Sequence, residues 1–320
     1  MSKHIKIWLV AAILLLVLGC ILFIGTMSVL KWDFAALSTS KYETNTYEIT
    51  ESISAISIHT NTADIRFIAS EDATCTVICY EQKNVTHTVT AQDGTLSIEV
   101  VDARKWYEHI GYHFKSPSIT VYIPEGDYGA LSITSDTGDV EIPKDFHFAS
   151  IDISEDTGNV TNYASAAEAI KIKTSTGDIC VKNVFAGSLD LTASTGDMTV
   201  SGVTCEGDVS VDVSTGKVYL TDITCKNVTS DGSTGNISLK NVIAEEKISI
   251  ERSTGDVNFE RSDAAEIFVE TDTGEVEGSL CSEKVFVVNT DTGDIDVPNS
   301  ITGGRCEITT DTGDIKITIH

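Results

Sequence analysis

Seven acidic side chains stand in one register along this chain. Asp139, Asp178, Asp197, Asp256, Glu275, Asp294 and Asp314 each directly follow a Thr-Gly pair, and Asn159, Lys217 and Asn236 fill the same place in three further copies. Carboxylates recurring at a fixed interval offer the hard oxygen ligands that Ca²⁺ takes. Asp and Thr beside a glycine also close turns by bonding to local backbone N–H groups. If the copies stack ~4.8 Å apart, neighbouring acids repel, so something must offset the charge. Three readings are open. They are turn chemistry, calcium between adjacent copies, and an ice-binding threonine array from Thr174-Ser175-Thr176, Thr271-Asp272-Thr273, Thr290-Asp291-Thr292 and Thr310-Asp311-Thr312. Turn chemistry leads. The chain lacks the Gly-Gly-x-Gly-x-Asp nonapeptide of calcium-binding β-rolls, Lys217 interrupts the acids, and charges intrude on the threonines. Calcium is the one cofactor in play; otherwise none is expected.

Other reactive residue types are scattered. Eight cysteines show no Cys-x-x-Cys or Cys-x-x-His spacing, which fits neither a zinc site nor a compact disulfide scaffold. Cys205 and Cys225 occupy equivalent places nine residues after their glycines, in a column that also holds Ala167, Ala186, Ala244 and Ala264. Stacking brings the two thiols near disulfide distance, and a reduced pair of core fillers is the plainer state. Cys180 is expected to face solvent and has no adjacent histidine, so it is no nucleophile. His109 and His113 share useful spacing within Trp106–Phe114, the most aromatic stretch. A short helix would put both on one face with a metal between them. A loop packing Trp106, Tyr107 and Phe114 over one end of the fold is the plainer reading, and these three aromatics are the best candidates for contact with a partner.

The elements that carry these residues follow from the repeat itself. The Thr-Gly motif recurs at Gly138, Gly158, Gly177, Gly196, Gly216, Gly235, Gly255, Gly274, Gly293 and Gly313, at steps of 19 or 20 residues. Two places after each glycine the residue is always apolar. Five places before it the residue is aliphatic in every copy but one, Ser230. Apolar residues alternate within each copy, as in strands with one inward side. Two strands of 4–6 residues joined at a glycine turn fill the repeat. Such a unit buries its apolar side only by stacking on its neighbours. The fold class is therefore all-β: a single-stack parallel β-solenoid of about ten coils, roughly 48 Å long at ~4.8 Å per coil. Uniform coils leave no loop large enough for the cleft of a pectate-lyase-like enzyme, so no catalysis is expected.

Ahead of the coils, residues 44–127 read as an irregular β cap. Ile53–Ile65 looks like a degenerate coil with Ala63 in the glycine place. Strands follow around Cys75–Tyr80, Thr86–Thr90, Thr95–Val101 and Ile119–Ile123, with Asp93-Gly94 as a hairpin turn. Residues 128–320 are the solenoid and 31–43 a polar tether. Ile7 to Leu30 is uncharged and long enough to span a bilayer. Lys3 and Lys6 precede it, which favours a cytoplasmic tail at 1–6, a transmembrane helix at 7–30, and an extracellular C-terminal part. Val17-Leu18-Gly19-Cys20 is a faint lipoprotein box, but four apolar residues follow the cysteine where such proteins turn polar. All 48 acids lie beyond residue 32, against 22 basic residues in the whole chain. So acidic a body repels nucleic acid.

The N-terminal anchor, the repeats such as Ser175-Thr176-Gly177-Asp178-Ile179, and Thr62-Ala63-Asp64-Ile65 resemble a bacterial family of β-strand-repeat proteins. That family is known as "putative adhesin" and otherwise as a domain of unknown function. The resemblance spans roughly residues 45–320. It implies a surface protein of a Gram-positive bacterium and brings no catalytic residues with it. The reading of the chain is a surface-displayed binding or structural rod with a cell-envelope or protein ligand. The alternative is an envelope-stress or regulatory factor working with membrane signalling proteins. The final strand, Ile315–His320, ends the sequence without a cap, so weak self-association is expected there.

Overall fold

The computed structural model describes residues 3–32, 41–71, 74–105 and 116–320. One α-helix, Lys3–Val29, opens the chain. Its Ile7–Val29 part has a mean hydropathy of 3.2, and at ~1.5 Å per residue it is long enough for the ~30 Å hydrocarbon layer. Leu, Ile and Ala suit a helix, and apolar side chains point outward all round it. This is the length and composition of a membrane anchor or a signal sequence.

Among the described residues, all 25 strands belong to one hydrogen-bonded sheet that winds into a solenoid. Successive coils pair in parallel and in register. Ile151, Ile153 and Thr157 lie over Leu131, Ile133 and Thr137, and under Ile170, Ile172 and Thr176. The glycine column marks the first corner, for two reasons. At Gly216 φ is +153°, a region that penalises side chains. A Cβ there would also run into the Gly196 carbonyl oxygen of the coil below. Ala63 tolerates the place because no glycine corner lies beneath it. Gly138 stacks on its carbonyl from one side, and on the other the Asp64 N–H donates to the Pro117 carbonyl.

The repeat turns three corners, not two. Six residues after the glycine, Asn183, Gly202, Asp222, Asn241 and Arg261 all have φ between +49° and +64°, the left-handed turn that Asn, Asp and Gly adopt readily. The third corner is a register shift, as between Phe148 and Ser150, Ala166 and Ala169, or Cys225 and Asn227. Three short inward runs result. In the Gly177 coil they are Ile170, Ile172 and Thr174; Ile179 and Val181; and Val184 and Ala186, all buried. Ala167 faces outward, and Ala166 takes its expected place in the alanine and cysteine column.

The cap follows the expected strands and adds one. Ala55–Thr62 and Asp64–Ser70 form an initial coil, paired to the Gly138 coil on one side. On the other side they carry Thr95–Asp102 and Ser118–Pro124. Cys75–Gln82 and Val85–Gln92 extend the two sides in antiparallel pairing. Asp93 and Gly94, both at positive φ, make the hairpin turn. Tyr42–Ile49, partly assigned to the tether by sequence, pairs along the whole of Cys75–Gln82 as the outermost strand.

At the far end the chain order reverses. The Gly274 coil is followed in the stack by the Gly313 coil, and only then by the Gly293 coil. Ile315–Ile319 therefore pairs with Val276–Leu280 along its length and with Ile295 and Asp296 at its start. Only the start of the C-terminal strand is covered on both sides; Ile317–Ile319 have a ladder partner on one side alone. The longer open edge is Lys284–Thr292, which among the described residues pairs only with Gly304–Thr312.

Candidate functional site

The acidic ladder lies on the first corner, and its oxygens are engaged from coil to coil. The Asp64 Oδ1 accepts the Asp139 N–H at 3.1 Å, Asp139 Oδ1 that of Asn159 at 2.8 Å, and Asn159 Oδ1 that of Asp178 at 2.9 Å. Asp178 and Asp197 continue to Asp197 and Lys217 at 2.8 Å. Lys217 has no acceptor to offer. The run resumes from Asn236 to Asp256 and from Asp256 to Glu275. At the reversed end Asp314 accepts from Asp294 at 2.9 Å. A carboxylate receiving an N–H is stabilised in its charged form, which is what offsets the repulsion. The Asp314 carboxyl is held below the usual range first by the Asp294 N–H and then by Lys316. Asn serves as well as Asp in this geometry, since each link uses one side-chain oxygen. The ladder thus joins corners from coil to coil through side-chain oxygens and backbone N–H groups.

The threonine triplets present only their second threonine: Thr176, Thr273, Thr292 and Thr312 are exposed. Thr174, Thr271 and Thr310 are buried, and their hydroxyls donate to the carbonyls of Gly158, Gly255 and Gly274 at 3.2–3.4 Å. Two charged residues share this inward column, and sequence reading missed both. Glu155 is buried with neither carboxylate oxygen hydrogen-bonded. Burial pushes its acid up to about 7; the Ser135 hydroxyl works against this, and Asp156, Asp136 and Asp139 add to it. Arg252 is buried too. Its Nη2 donates to the Ser230 hydroxyl at 2.7 Å, and Nη1 lies 3.3 Å from the Asp231 carbonyl and 3.5 Å from that of Val213. Burial lowers its pKa, and Asp231 and Asp212 oppose this. Ser230, the one exception in its column, is there to receive the guanidinium. Gly232 makes the room, since a Cβ on it would occupy the place of Nη1.

One cluster in the cap brings chemistry-bearing side chains together. Among the described residues, three or more His, Cys, Asp or Glu donor atoms converge within 4.8 Å only at Cys79, Glu81 and His87. Glu81 Oε2 lies 2.7 Å from His87 Nδ1 and accepts the His87 backbone N–H at 2.7 Å. Asn45 Nδ2 donates to Glu81 Oε1 at 2.6 Å, and Thr60 Oγ1 sits 2.9 Å from His87 Nε2. All but Asn45 are buried. Burial first, with Glu81 adding to it, pushes the Cys79 thiol to about 12.

The remaining expectations distribute simply. Cys205 and Cys225 are buried free thiols, Cys180 is half-buried and Cys281 exposed. Trp106, Tyr107 and Phe114, with His109 and His113, lie outside the described residues. A shallow acidic groove of about 400 Å³, lined by Asp212, Asp231, Glu251, Glu270 and Asp272, lies beside Arg252. The distal coil leaves Val287 and Ile295 about half exposed and Ile301 fully so, with Phe286 and Val288 only partly covered.

A family model described as Toastrack DUF4097 matches residues 53–211 and, a second time, residues 204–320. The two matches fall on consecutive parts of one stack. Among solved structures, a "putative adhesin" from Bacteroides fragilis is 15% identical, with 87% of this chain and 97% of that chain covered and a TM-score of 0.44. A "putative lipid binding protein" from Parabacteroides distasonis is 15% identical over 86% and 97%, at a TM-score of 0.46. A "putative adhesin" from Parabacteroides merdae is 13% identical over 88% and 97%, at 0.45. No curated protein matches the chain.

Proposed function

The chain belongs to the Toastrack DUF4097 family, and on that premise we propose that it is a membrane-anchored, non-catalytic rod that offers its distal coil to a partner outside the cell. The observation that carries this reading is the uncovered last coil. Lys284–Thr292 has a strand on one side only, and Val285, Val287 and Ile295 stand exposed around it. Terminal repeats of solenoids ordinarily turn a polar face outward, whereas an open edge with apolar neighbours suits strand addition by another chain. The coils between cap and tip are stapled and uniform, which suits a spacer. Lys3 and Lys6 favour an inner N-terminus, and the strongly acidic body disfavours nucleic acid as partner.

Two measurements test this. A membrane-impermeant maleimide should label the exposed Cys281 on intact cells; labelling only after lysis would reverse the orientation. Purified chain should bind to cell envelopes, and Val287→Lys with Ile295→Lys should abolish most of that binding while leaving the melting temperature near its original value. Equal binding by wild type and variant would remove the distal coil from the function.

A further inference from the structure

We infer that Cys79, Glu81 and His87 form a binding site for one thiolate-accepting divalent metal ion of the zinc class, sealed inside the cap. Local structure brings the donors together. Cys79 and Glu81 are two residues apart on Cys75–Gln82, so both face inward. His87 lies on Val85–Gln92, which the tight Gln82–Val85 connection folds back beside them. The three donor atoms lie within 4.8 Å of one another. Ligands at ~2.0–2.3 Å around a tetrahedral ion are roughly 3.3–3.8 Å apart, so only small side-chain adjustments are needed.

The surrounding bonds sort themselves as outer partners of a metal site do. Metal-bound histidines commonly give their second ring nitrogen to a neighbouring acceptor, and ligating carboxylates are themselves hydrogen-bonded. Here Thr60 holds Nε2 and Asn45 holds Oε1. The atoms left facing one another are Nδ1, Oε2 and the Cys79 sulfur. Thr60 belongs to the first coil, Asn45 to the outermost strand, and the ligands to the two strands between, so the ion would tie four strands of the cap to the rod.

The proton balance closes. On binding, the imidazole proton moves from Nδ1 to Nε2, where the Thr60 hydroxyl accepts it, and the thiol proton leaves to solvent. Three protein donors leave the fourth position to water. A thiolate, an imidazole and a carboxylate together favour zinc over calcium or magnesium, which take oxygen alone. The Cys-x-Glu pair with a histidine six residues on matches none of the cysteine spacings that signal zinc in a sequence, because a hairpin rather than a knuckle supplies the geometry.

The test uses the full chain in detergent, stripped of metal and titrated with Zn²⁺ or Co²⁺. One equivalent of zinc should remain after gel filtration, and cobalt should give a sulfur-to-metal charge-transfer band in the near ultraviolet. Zinc should raise the melting temperature by on the order of several degrees. Cys79→Ala should lose the band and the shift, and Cys205→Ala should keep both; circular dichroism checks that each remains folded. Should a variant not fold, the wild-type band and stoichiometry still decide. Folded wild type with neither retained zinc nor a charge-transfer band would overturn the site and leave a hydrogen-bonded Glu81–His87 pair.

Discussion

Glu155 makes the stability of the rod depend on pH, in a direction that can be worked out. Its acid rises from an ordinary 4.5 to about 7 in the folded chain, chiefly through burial. Below 4.5 both folded and unfolded chains hold the proton, and the residue adds no pH-dependent term. Between 4.5 and 7 the unfolded chain ionises while the folded one does not, so stability falls as pH rises. Above 7 the loss is complete, and 2.5 pH units correspond to about 3 kcal/mol, or roughly 300-fold in an opening equilibrium. Glu155→Gln should therefore stabilise the chain by up to about 3 kcal/mol at pH 8 and change little at pH 4.5. Glu155→Thr should do the same, since Thr174, Thr271 and Thr310 occupy the equivalent place and bond to a glycine carbonyl below. A repeat stack need not unfold in one step. The informative assay is hydrogen exchange of the Phe146–Thr157 strand at pH 5 and pH 8, corrected for intrinsic rates and compared with Glu155→Gln. Identical pH dependence in the two proteins, or a Gln variant less stable at pH 8, would refute the reasoning.

Other perturbations address the corners and the ladder. Gly216→Ala should lower stability by more than about 3 kcal/mol, because it combines left-handed strain with a clash. Gly126, with nothing within 4 Å of the place a Cβ would take, should accept Ala nearly without change. Thermal melting of the pair decides, and equal melting temperatures would end the stacking argument. Asp197→Ala removes the acceptor for the Lys217 N–H and should cost about 1 kcal/mol, while Asp197→Asn keeps it. If instead wild type melts higher in calcium than in magnesium and Asp197→Asn loses that difference, the ladder's carboxylates hold cations as well.

The solenoid was readable because its constraint is repeated. A glycine that cannot carry a Cβ, an apolar residue two places on and another five places before recur from coil to coil, and chance does not reproduce that. The second corner has a left-handed residue in five coils only, at Asn183, Gly202, Asp222, Asn241 and Arg261, and that column mixes Asn, Asp, Gly and Arg. Only the shared positive φ unites them. Side-chain bonds join part of that column too, from Asn241 to Asp222 at 2.7 Å and from Arg261 to Asn241 at 3.1 Å. Ser230 stood out as an exception without a cause, because its cause is a guanidinium twenty-two residues away in the next coil. The cap cluster escaped for a related reason: Asn45, Thr60, Glu81 and His87 meet only after four strands have paired, and no spacing in the sequence encodes that.

The reversed end gives the Ile315–Ile319 strand partial cover. Placing the Gly313 coil beneath the Gly293 coil gives Ile315–Ile319 a partner on one whole side and cover at its start. Two features hold the exchange in place. Lys284, on the outer coil, is buried, and its ammonium lies 2.5 Å from Asp263 two coils below. It pairs in register with Gly304 of the intervening coil, whose missing side chain leaves the path open and whose backbone sits against the Ala265 carbonyl. The return loop is marked by Pro298, the sole proline after Pro143. Ser300 and Thr302 in that loop bond to Glu283 at 3.3 and 2.6 Å. A period of 19 or 20 residues is blind to this exchange, because both coils have the same length and the same columns. What distinguishes them is polar: a lysine buried against Asp263, and a Gly-Gly opposite it. The distal edge is thus set by one buried ion pair, and breaking it with Lys284→Met should loosen the outer coil before any other part of the rod, as faster hydrogen exchange confined to Lys284–Thr292 would show.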